Sequence, residues 1–401
     1  MTRNISFQEF ASQLREFIER FKEISFPVSE NSASEFNHLA LTLFTLQFEN
    51  VPTYRALCAL RKKFPETIRH SSEIPAMPTS AFKELDLSSI APDERTKVFH
   101  SSGTTAQVPS RHFHNTESLT IYEASLLPWF KKNFLGDWEE ISEEQNFSAD
   151  KPGLIFLTPS PALAPHSSLV HMFETVRCEL GSRDSFFGGV IGAENSWQLD
   201  IDKILFGVRK SMCANRPIGI LGTAFSFVHL LDYFEEKNIR YRLAAGSRVI
   251  ETGGYKGRSR EMPKAELHRR ITKYFGIRES HIVCEYGMSE LSSQAYDNSV
   301  AAVCDRRNLS DAHRAPLQRI FHFPPWARAQ IISPDTGIEV SDGETGLIRV
   351  FDLANIRSVL AIQTEDLAIR RGDGFALIGR AANTEPRGCS LLPESNRAAN
   401  K

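Results

Sequence analysis

The chain has 401 residues, of which 41% are hydrophobic and 24% are charged, and its formal net charge is −2. These values are typical of a globular protein with two or three structural units. Because no strong basic field is present, we expect no nucleic-acid partner and no attraction to an anionic membrane surface.

The chain contains no uninterrupted apolar run of the roughly 18 residues that a membrane-spanning helix needs. Its N-terminus lacks the apolar core of a signal peptide. The six cysteines have neither paired nor metal-like spacing, so we expect reduced, mostly buried thiols and a cytoplasmic location.

Apolar spacing predicts amphipathic helices over residues 7–21, 36–46, 54–63 and 117–134. Ser6 and Glu9 form a capping box at the start of the first helix. We expect these helices to pack within the domain rather than to bind a partner. The acidic segment 137–144 is predicted to be a solvated connection on the surface.

From Gly153 onward, short apolar strands alternate with helices. Strands are predicted over 154–158, 218–223, 248–250 and 281–285, and helices over 224–234 and 263–275. This alternation indicates a largely parallel sheet, in which ligands gather beyond the carboxyl ends of the strands.

Beyond Phe323 the pattern changes to antiparallel strands, predicted over 328–332, 346–351, 358–363 and 375–378. We therefore predict an α/β chain in four parts. These are a helical region over 1–73, an α/β core over 74–323, a β-rich subdomain over 324–380 and a tail over 381–401 that contains Cys389.

The stretch from Val98 to His112 is the main candidate for ligand binding. Its central residues are Ser101, Ser102, Gly103, Thr104 and Thr105, and Arg111 follows them. Hydroxyl and backbone N–H donors around a glycine suit phosphate oxygens, and Arg adds a bidentate cation. The Gly-Lys-Ser/Thr ending of a P-loop is absent, which disfavours a P-loop kinase. An ordinary Ser/Thr-rich surface loop explains the same residues about equally well.

Three further loops follow predicted strands, namely Glu251–Arg260, Tyr286–Leu291 and Gln363–Leu367. The first combines three glycines with three cations, the second offers an aromatic face and the Glu290 carboxylate, and the third has adjacent acids. Each signal is weak alone, because Gly-rich turns are common and a carboxylate such as Glu290 more often starts a helix than binds a metal.

Taken in order, Ser-Ser-Gly-Thr-Thr, Tyr-Gly-Met-Ser-Glu, Thr-Glu-Asp-Leu and Gly-Arg resemble the motifs of the acyl-adenylate-forming ligase superfamily. Within it, Leu221–Phe225, Glu251–Arg260 and Glu385–Ser390 resemble the acyl-protein synthetase family of bacterial luminescence systems. The resemblance implies that superfamily's large α/β domain, with mostly parallel sheets flanked by helices, and a smaller antiparallel β subdomain. Because only about twenty residues follow Arg380, we expect the C-terminal domain that carries the superfamily's catalytic Lys to be missing or vestigial.

The resemblance implies ATP and Mg²⁺ as cofactors and assigns a role to each matching residue. Nucleotide contacts fall to Ser101, Ser102, Gly103, Thr104 and Thr105 at the phosphates, Gly253, Gly254, Tyr286 and Gly287 near the adenine, and Asp366 and Arg380 near the ribose. Glu290 would hold Mg²⁺. Independently of the resemblance, Arg111, Lys256 and Arg258 are the cations that we consider as charge stabilisers in place of the missing Lys. Ala106 and Glu365 depart from the superfamily, which has Gly at both places.

The implied reaction is ATP-dependent activation of a carboxylic acid to an acyl-adenylate, followed by acyl transfer to a thiol, and the resemblance favours a fatty acid as the substrate. Cys389 matches the acceptor cysteine of the family, although a bystander thiol in a tail also accounts for it. The final acceptor is this chain, a partner protein such as a reductase or acyl carrier protein, or coenzyme A. Two alternatives stay open, an acyl-coenzyme A ligase and a non-catalytic nucleotide- or acyl-binding module.

Overall fold

The structure is a computed structural model that describes residues 5–21, 30–101, 108–144, 151–193, 196–253, 262–297 and 319–381. Its helices are α1 (Phe7–Arg20), α2 (Glu30–Asn50), α3 (Pro52–Leu60), α4 (Ala81–Glu84), α5 (Thr116–Leu135), α6 (Trp138–Glu144), α7 (Ser168–Glu179), α8 (Ile201–Cys213), α9 (Ala224–Glu236) and α10 (Lys264–Phe275). Within the described ranges, no helix combines the length and the apolar character that crossing a membrane requires.

The strands are β1 (Met77–Pro78), β2 (Lys97–His100), β3 (Arg111–His114), β4 (Gly153–Phe156), β5 (Phe186–Phe187), β6 (Gly189–Ile191), β7 (Trp197–Leu199), β8 (Ile218–Thr223), β9 (Arg248–Thr252), β10 (Ile282–Tyr286), β11 (Ala295–Tyr296), β12 (Ala327–Ile332), β13 (Thr345–Asp352), β14 (Ala361–Arg371) and β15 (Gly374–Arg380). Spatial contacts between its residues divide the chain into two compact units. The first contains described residues within 1–99, 110–129 and 287–384, and the second contains those within 100–109 and 130–286.

The first unit contains an antiparallel sheet in which β14 pairs with both β13 and β15, and β12 lies beyond β13. The short β1 adds to β14 in parallel, with Met77 opposite Ile362. Helix α1 begins at the predicted capping box, because the Ser6 side chain accepts from the Glu9 N–H while Glu9 reaches back to Ser6. Its apolar stripe is buried, as predicted.

The second unit is built on five parallel strands in the order β10-β9-β8-β4-β5. Every residue of β8, β9 and β10 is buried, and α9 and α10 pack Phe227, Phe234 and Phe275 into the same core. The predicted alternation of strands and helices is confirmed. The carboxyl ends of β8, β9 and β10 therefore lie along one edge of the sheet.

One local prediction is wrong, and two others are confirmed only in part. Gln363–Leu367 is not a loop at a strand end but the interior of β14, where it pairs with β13 and β15. The acidic segment 137–144 exposes its glutamates to solvent, as predicted, but it forms helix α6 instead of an irregular connection, with Trp138 buried. Among the described cysteines, Cys178 and Cys213 are exposed rather than buried.

Candidate active site

Glu290 lies in the first unit, four residues after β10, and its side chain has no exposed surface. The Ser110 hydroxyl donates to Oε1 of Glu290 at 2.7 Å, and the Ser289 hydroxyl donates to Oε2 at 3.0 Å. Hydrogen bonds to an ionised acceptor are stronger than neutral ones, so the two serines fix the direction of the carboxylate.

The loop that carries Glu290 is fixed by residues at the end of β13. Asp352 accepts from the backbone N–H groups of Ser292 and Ser293, each at 2.8 Å. Burial raises the pKa of Asp352, and its hydrogen bonds to Ser293, Ser292 and Ala354 oppose that rise. Asn355 donates from Nδ2 to the Glu290 carbonyl oxygen at 2.9 Å. The position of Glu290 thus depends on buried polar contacts as well as on its own side chain.

His112 packs behind the same loop, with Nδ1 2.9 Å from the carbonyl oxygen of Ser289. Because a carbonyl only accepts, Nδ1 carries the proton. Burial lowers the pKa of His112 to about 4, although the Ser289 hydrogen bond and the nearby Glu290 charge oppose this shift. The imidazole is therefore neutral at physiological pH and acts as a hydrogen-bond donor to the loop.

Arg111, predicted to stabilise charge, precedes His112 on β3. Its guanidinium lies 5.7 Å from the centre of the Phe113 ring. Its buried Nε has no hydrogen-bond partner among the described residues. A buried cationic donor of this kind can donate a hydrogen bond to an anion without first breaking another hydrogen bond at that nitrogen.

Asp366 and Arg380, predicted to lie near a ribose, are brought together by the register of β14 and β15. Arg380 Nε lies 3.3 Å from Asp366 Oδ1, and Arg380 Nη1 lies 4.0 Å from Glu365 Oε2. Both predicted residues therefore belong to strands, where the pairing orients the carboxylate against a cation.

In the second unit, Gly253 follows β9 and Tyr286 ends β10. They come directly after Thr252 and Glu285, which are opposite each other in the parallel register. Gly253 has φ of +73°, and a Cβ there would meet nothing within 4 Å. The backbone conformation, rather than a lack of space, therefore favours glycine at the turn.

Glu285 is a buried acid in an otherwise apolar strand, and the Thr252 hydroxyl donates to its Oε2. Burial raises the pKa of Glu285 to about 7, the Thr252 hydrogen bond opposes this shift, and the neighbouring charge of Glu251 adds to it. Glu285 was not predicted as a site residue, although an acid within the apolar run Ile282–Tyr286 is visible in the sequence. The strand edge therefore holds a carboxyl group that titrates near neutrality.

The remaining predicted residues are placed only in part. Ser101 is buried just after β2, and Gly287 begins the segment that leads to Glu290. Ser102, Gly103, Thr104, Thr105, Gly254, Lys256 and Cys389 lie outside the described residues. Ser110 and Ser289 were not predicted as site residues. Their positions in the sequence were the available signal, since Ser110 lies in the stretch from Val98 to His112 and Ser289 lies in the loop Tyr286–Leu291.

Comparison with protein families and curated proteins gives a consistent result. A family model described as acyl-protein synthetase, LuxE, matches residues 180–396. The long-chain-fatty-acid–luciferin-component ligase of Aliivibrio fischeri is 23% identical over 361 residues, which are 87% of this chain and 85% of that protein. Its counterpart in Vibrio harveyi is 20% identical over 357 residues, covering 87% of this chain and 84% of that protein.

Solved structures of 2-hydroxyisobutyryl-CoA ligase share the fold. An open conformation, in complex with 2-HIB-AMP and CoA, is 11% identical with a TM-score of 0.58 and covers 90% of this chain and 75% of that one. The postadenylation state with 2-HIB-AMP is 13% identical with a TM-score of 0.57, covering 89% and 72%. The predicted α/β fold of the acyl-adenylate-forming ligases is thereby confirmed. Since the family model spans more than half of the sequence, this chain belongs to the LuxE family of acyl-protein synthetases.

Proposed function

We propose that this protein activates a fatty acid with ATP and transfers the acyl group to a thiol. The observation that carries the proposal is the buried Glu290 carboxylate, which Ser110 and Ser289 orient by hydrogen bonds. Glu290 ends the Tyr-Gly-Met-Ser-Glu motif in a chain of the LuxE family. A carboxylate is a poor acyl donor, because its oxygen is a poor leaving group. Adenylation removes that obstacle.

The reaction has two steps. In the first, an oxygen of the acid attacks the α-phosphorus of ATP in line, the bond to the bridging β-phosphate oxygen breaks, and pyrophosphate leaves. In the second, a thiolate attacks the acyl carbon, AMP leaves and a thioester forms. Positioning and charge neutralisation are the protein's tasks in both steps.

The chemistry of the donors around Glu290 fits Mg²⁺. Carboxylate oxygens are hard ligands, which this cation prefers, and Glu290 supplies them where Ser110 and Ser289 hold its side chain in place. In our proposal Glu290 holds the ion, and the two serines keep the carboxylate oriented. When bound, Mg²⁺ would neutralise charge on the phosphate oxygens of ATP.

The other site residues divide by the part of ATP that each contacts. In our proposal, the phosphates contact Ser101, Ser102, Gly103, Thr104 and Thr105, the adenine contacts Gly253, Gly254, Tyr286 and Gly287, and the ribose contacts Asp366, with Arg380 beside it. Arg111 and Lys256 neutralise charge that develops during adenylation. The Nε of Arg111, which has no hydrogen-bond partner within the described part of the chain, supports its part of this assignment.

Cys389 is the proposed acceptor within the chain, with Arg387 beside it favouring the thiolate. From there the acyl group would pass to a partner such as a reductase or an acyl carrier protein. We propose that this chemistry takes place in the cytoplasm. Direct transfer to coenzyme A is the second candidate function, and the fold shared with 2-hydroxyisobutyryl-CoA ligase favours it.

The test is ATP–pyrophosphate exchange across carboxylic acids of different length. Exchange with fatty acids that disappears in Glu290→Ala, but persists in Glu279→Ala at an exposed site, is the expected result. ATP binding without exchange by any acid would overturn the ligase proposal and favour a binding module. A thioester formed only with added coenzyme A would favour the second function.

A second measurement identifies the acceptor. Labelled fatty acid and ATP should acylate the wild-type chain and the Cys213→Ser variant, which loses an exposed thiol, but not Cys389→Ser. Labelling that persists in Cys389→Ser would exclude this cysteine as the acceptor while leaving adenylation intact.

A further inference from the structure

A buried cluster of three chemically different side chains lies in the second unit, at the sheet face covered by α10. Glu251 of β9 and Cys284 of β10 are opposite each other in the parallel register, so their side chains share a face of the sheet. His268 of α10 meets them there. Glu251 Oε1 lies 2.8 Å from Cys284 Sγ and 3.3 Å from His268 Nε2, and Sγ lies 3.7 Å from Nε2.

One polar atom of the cluster has no hydrogen-bond partner among the residues that the structure describes. All three side chains are almost completely excluded from solvent, and Oε2 of Glu251 has no hydrogen-bond partner among the described residues. A buried carboxylate oxygen left unpaired is costly, since it has lost its water without replacement. One additional ligand at this position would satisfy it.

We propose that Glu251, His268 and Cys284 bind a zinc ion. Thiolate sulfur, imidazole nitrogen and carboxylate oxygen are the donors that Zn²⁺ takes in proteins. Bonds of about 2.3 Å to sulfur and about 2.0 Å to nitrogen and oxygen place tetrahedral ligand atoms roughly 3.3 to 3.6 Å apart. The His268 separations, 3.3 and 3.7 Å, match this spacing.

Zinc binding balances charge inside the core. The thiol of Cys284 releases its proton to solvent when it ligates the metal, and its hydrogen bond to Glu251 is replaced by two bonds to zinc. A thiolate, a carboxylate and a neutral imidazole then neutralise the dication. No uncompensated charge stays buried, which is the condition for an ionic site in a protein interior.

Lys264, one turn before His268 on α10, competes with the metal. Its ammonium Nζ lies 3.2 Å from the same Oε1 of Glu251, and its side chain is 41% exposed. Because the Lys264 ammonium and the zinc ion would both contact Oε1 of Glu251, Lys264 must turn toward solvent when zinc binds. Water or the second oxygen of Glu251 then completes the coordination. Removing the Lys264 charge should therefore strengthen zinc binding.

The consequence is local rigidity at the edge of the sheet. Glu251 and Cys284 each lie two residues before a residue proposed to contact adenine, Gly253 and Tyr286 respectively. A metal at this site would join α10 to both strands just before these residues. The site itself does not depend on the proposed function, because metal binding is measured without ATP or acid.

The test uses untagged full-length protein that has been stripped of metal and titrated with Co²⁺, then with Zn²⁺. We expect one equivalent of Co²⁺ to give tetrahedral visible bands and a thiolate-to-cobalt charge-transfer band, which Zn²⁺ abolishes. Cys284→Ser should remove the charge-transfer band. His268→Asn should weaken zinc binding by more than about 100-fold, because mutating a residue that only hydrogen-bonds to a metal ligand costs up to about 100-fold. Zinc should also raise the thermal midpoint of the wild type.

The matched control is Cys178→Ser, which removes an exposed thiol that lies 3.5 Å from Oε1 of Glu174. Its cobalt spectrum should equal that of the wild type. A wild type without the charge-transfer band, or a band lost in Cys178→Ser and kept in Cys284→Ser, overturns the proposal. If Cys284→Ser fails to fold, Lys264→Met decides, since tighter zinc binding supports the site and unchanged or weaker binding refutes it.

Discussion

The hydroxyl of Ser110 donates a hydrogen bond of 2.7 Å to Oε1 of Glu290, and the two residues are 180 positions apart in the chain. Both side chains are buried. The contact joins the segment before β3 to the loop after β10, so the proposed magnesium ligand is oriented by the hydroxyl-rich stretch. Activity should therefore respond to Ser110 even though it is not itself a ligand in our proposal.

Replacing Ser110 with Ala should weaken adenylation without unfolding the chain. A hydrogen bond to a charged group contributes about 1.5 to 3 kcal/mol, which corresponds to about a 10- to 100-fold loss of exchange. We also expect a higher Mg²⁺ concentration for half-maximal exchange, because the carboxylate then lacks one of the hydrogen bonds that orient it. Pyrophosphate exchange over a magnesium series measures both effects.

Ser142→Ala is the matched control, since this buried serine donates to the Glu139 carbonyl oxygen at 2.7 Å on α6. Its exchange rate and magnesium response should equal those of the wild type. Equal exchange rates and magnesium responses in Ser110→Ala and Ser142→Ala would show that the Ser110 hydrogen bond does not contribute to adenylation.

Asp366→Asn should reduce recognition of the ribose. The Asp366 carboxylate, 3.3 Å from Arg380 Nε, is the proposed acceptor for ribose hydroxyls. Removing its charge should raise the KM for ATP about tenfold, the usual cost of a charge-assisted hydrogen bond. The wild type should prefer ATP to 2′-deoxy-ATP, and the variant should lose that preference. The measurement is exchange with both nucleotides.

Asp373→Asn provides the comparison, because Asp373 also has a nitrogen partner, with His322 Nε2 3.2 Å from its Oδ1, and it lies at the turn between the same two strands. Nucleotide preference should survive this change. If it is lost to the same degree, the hairpin's integrity rather than Asp366 sets the preference.

Local patterns predicted much of this fold. Strand β8 spans the predicted residues 218–223, and the Ser6–Glu9 capping box is present, because each depends on residues close together in the chain. The prediction failed at Gln363–Leu367, since acids are depleted in strands and suggest a loop. Pairing with β13 and β15, together with the distant Arg380, overrides that local preference.

The candidate site was predicted less completely, for a related reason. Glu290 and Asp366 belong to motifs and were found. Ser110 and Glu251 have roles that depend on partners far along the chain, so no spacing rule could identify them. The cysteine pattern likewise suggested no metal, because Cys284 meets His268 through the packing of α10 and not through sequence spacing.

His112→Asn should change how stability depends on acid. Burial lowers the pKa of His112 to about 4 from 6.5, so between these values the unfolded chain binds a proton that the folded chain does not. Its contribution to stability is complete above pH 6.5 and is lost as the pH falls to 4, by about 3 kcal/mol. The Asn variant keeps a donor for the Ser289 carbonyl oxygen and should lose less stability on acidification.

Urea unfolding at a series of pH values measures this difference. His70→Asn, a substitution at an exposed histidine, should reproduce the wild-type dependence. A variant at His112 with the full wild-type loss between pH 6.5 and 4 would contradict a buried neutral imidazole.

Glu285→Gln should also change how stability depends on pH, but the wild-type Glu285 lowers stability as the pH rises, which is opposite to the direction for His112. Burial raises the pKa of Glu285 to about 7 from 4.5, so the folded chain binds a proton that the unfolded chain releases in this interval. The wild type should therefore lose stability as the pH rises from 4.5 to 7, by about 3 kcal/mol. Gln stays neutral and can still accept from the Thr252 hydroxyl, so the variant should be more stable than the wild type at pH 8 and similar to it at pH 4. Glu279→Gln, at an exposed site just before the same strand, should behave like the wild type, and a Glu285→Gln protein with the wild-type slope would show that this carboxyl group is ionised in the folded core.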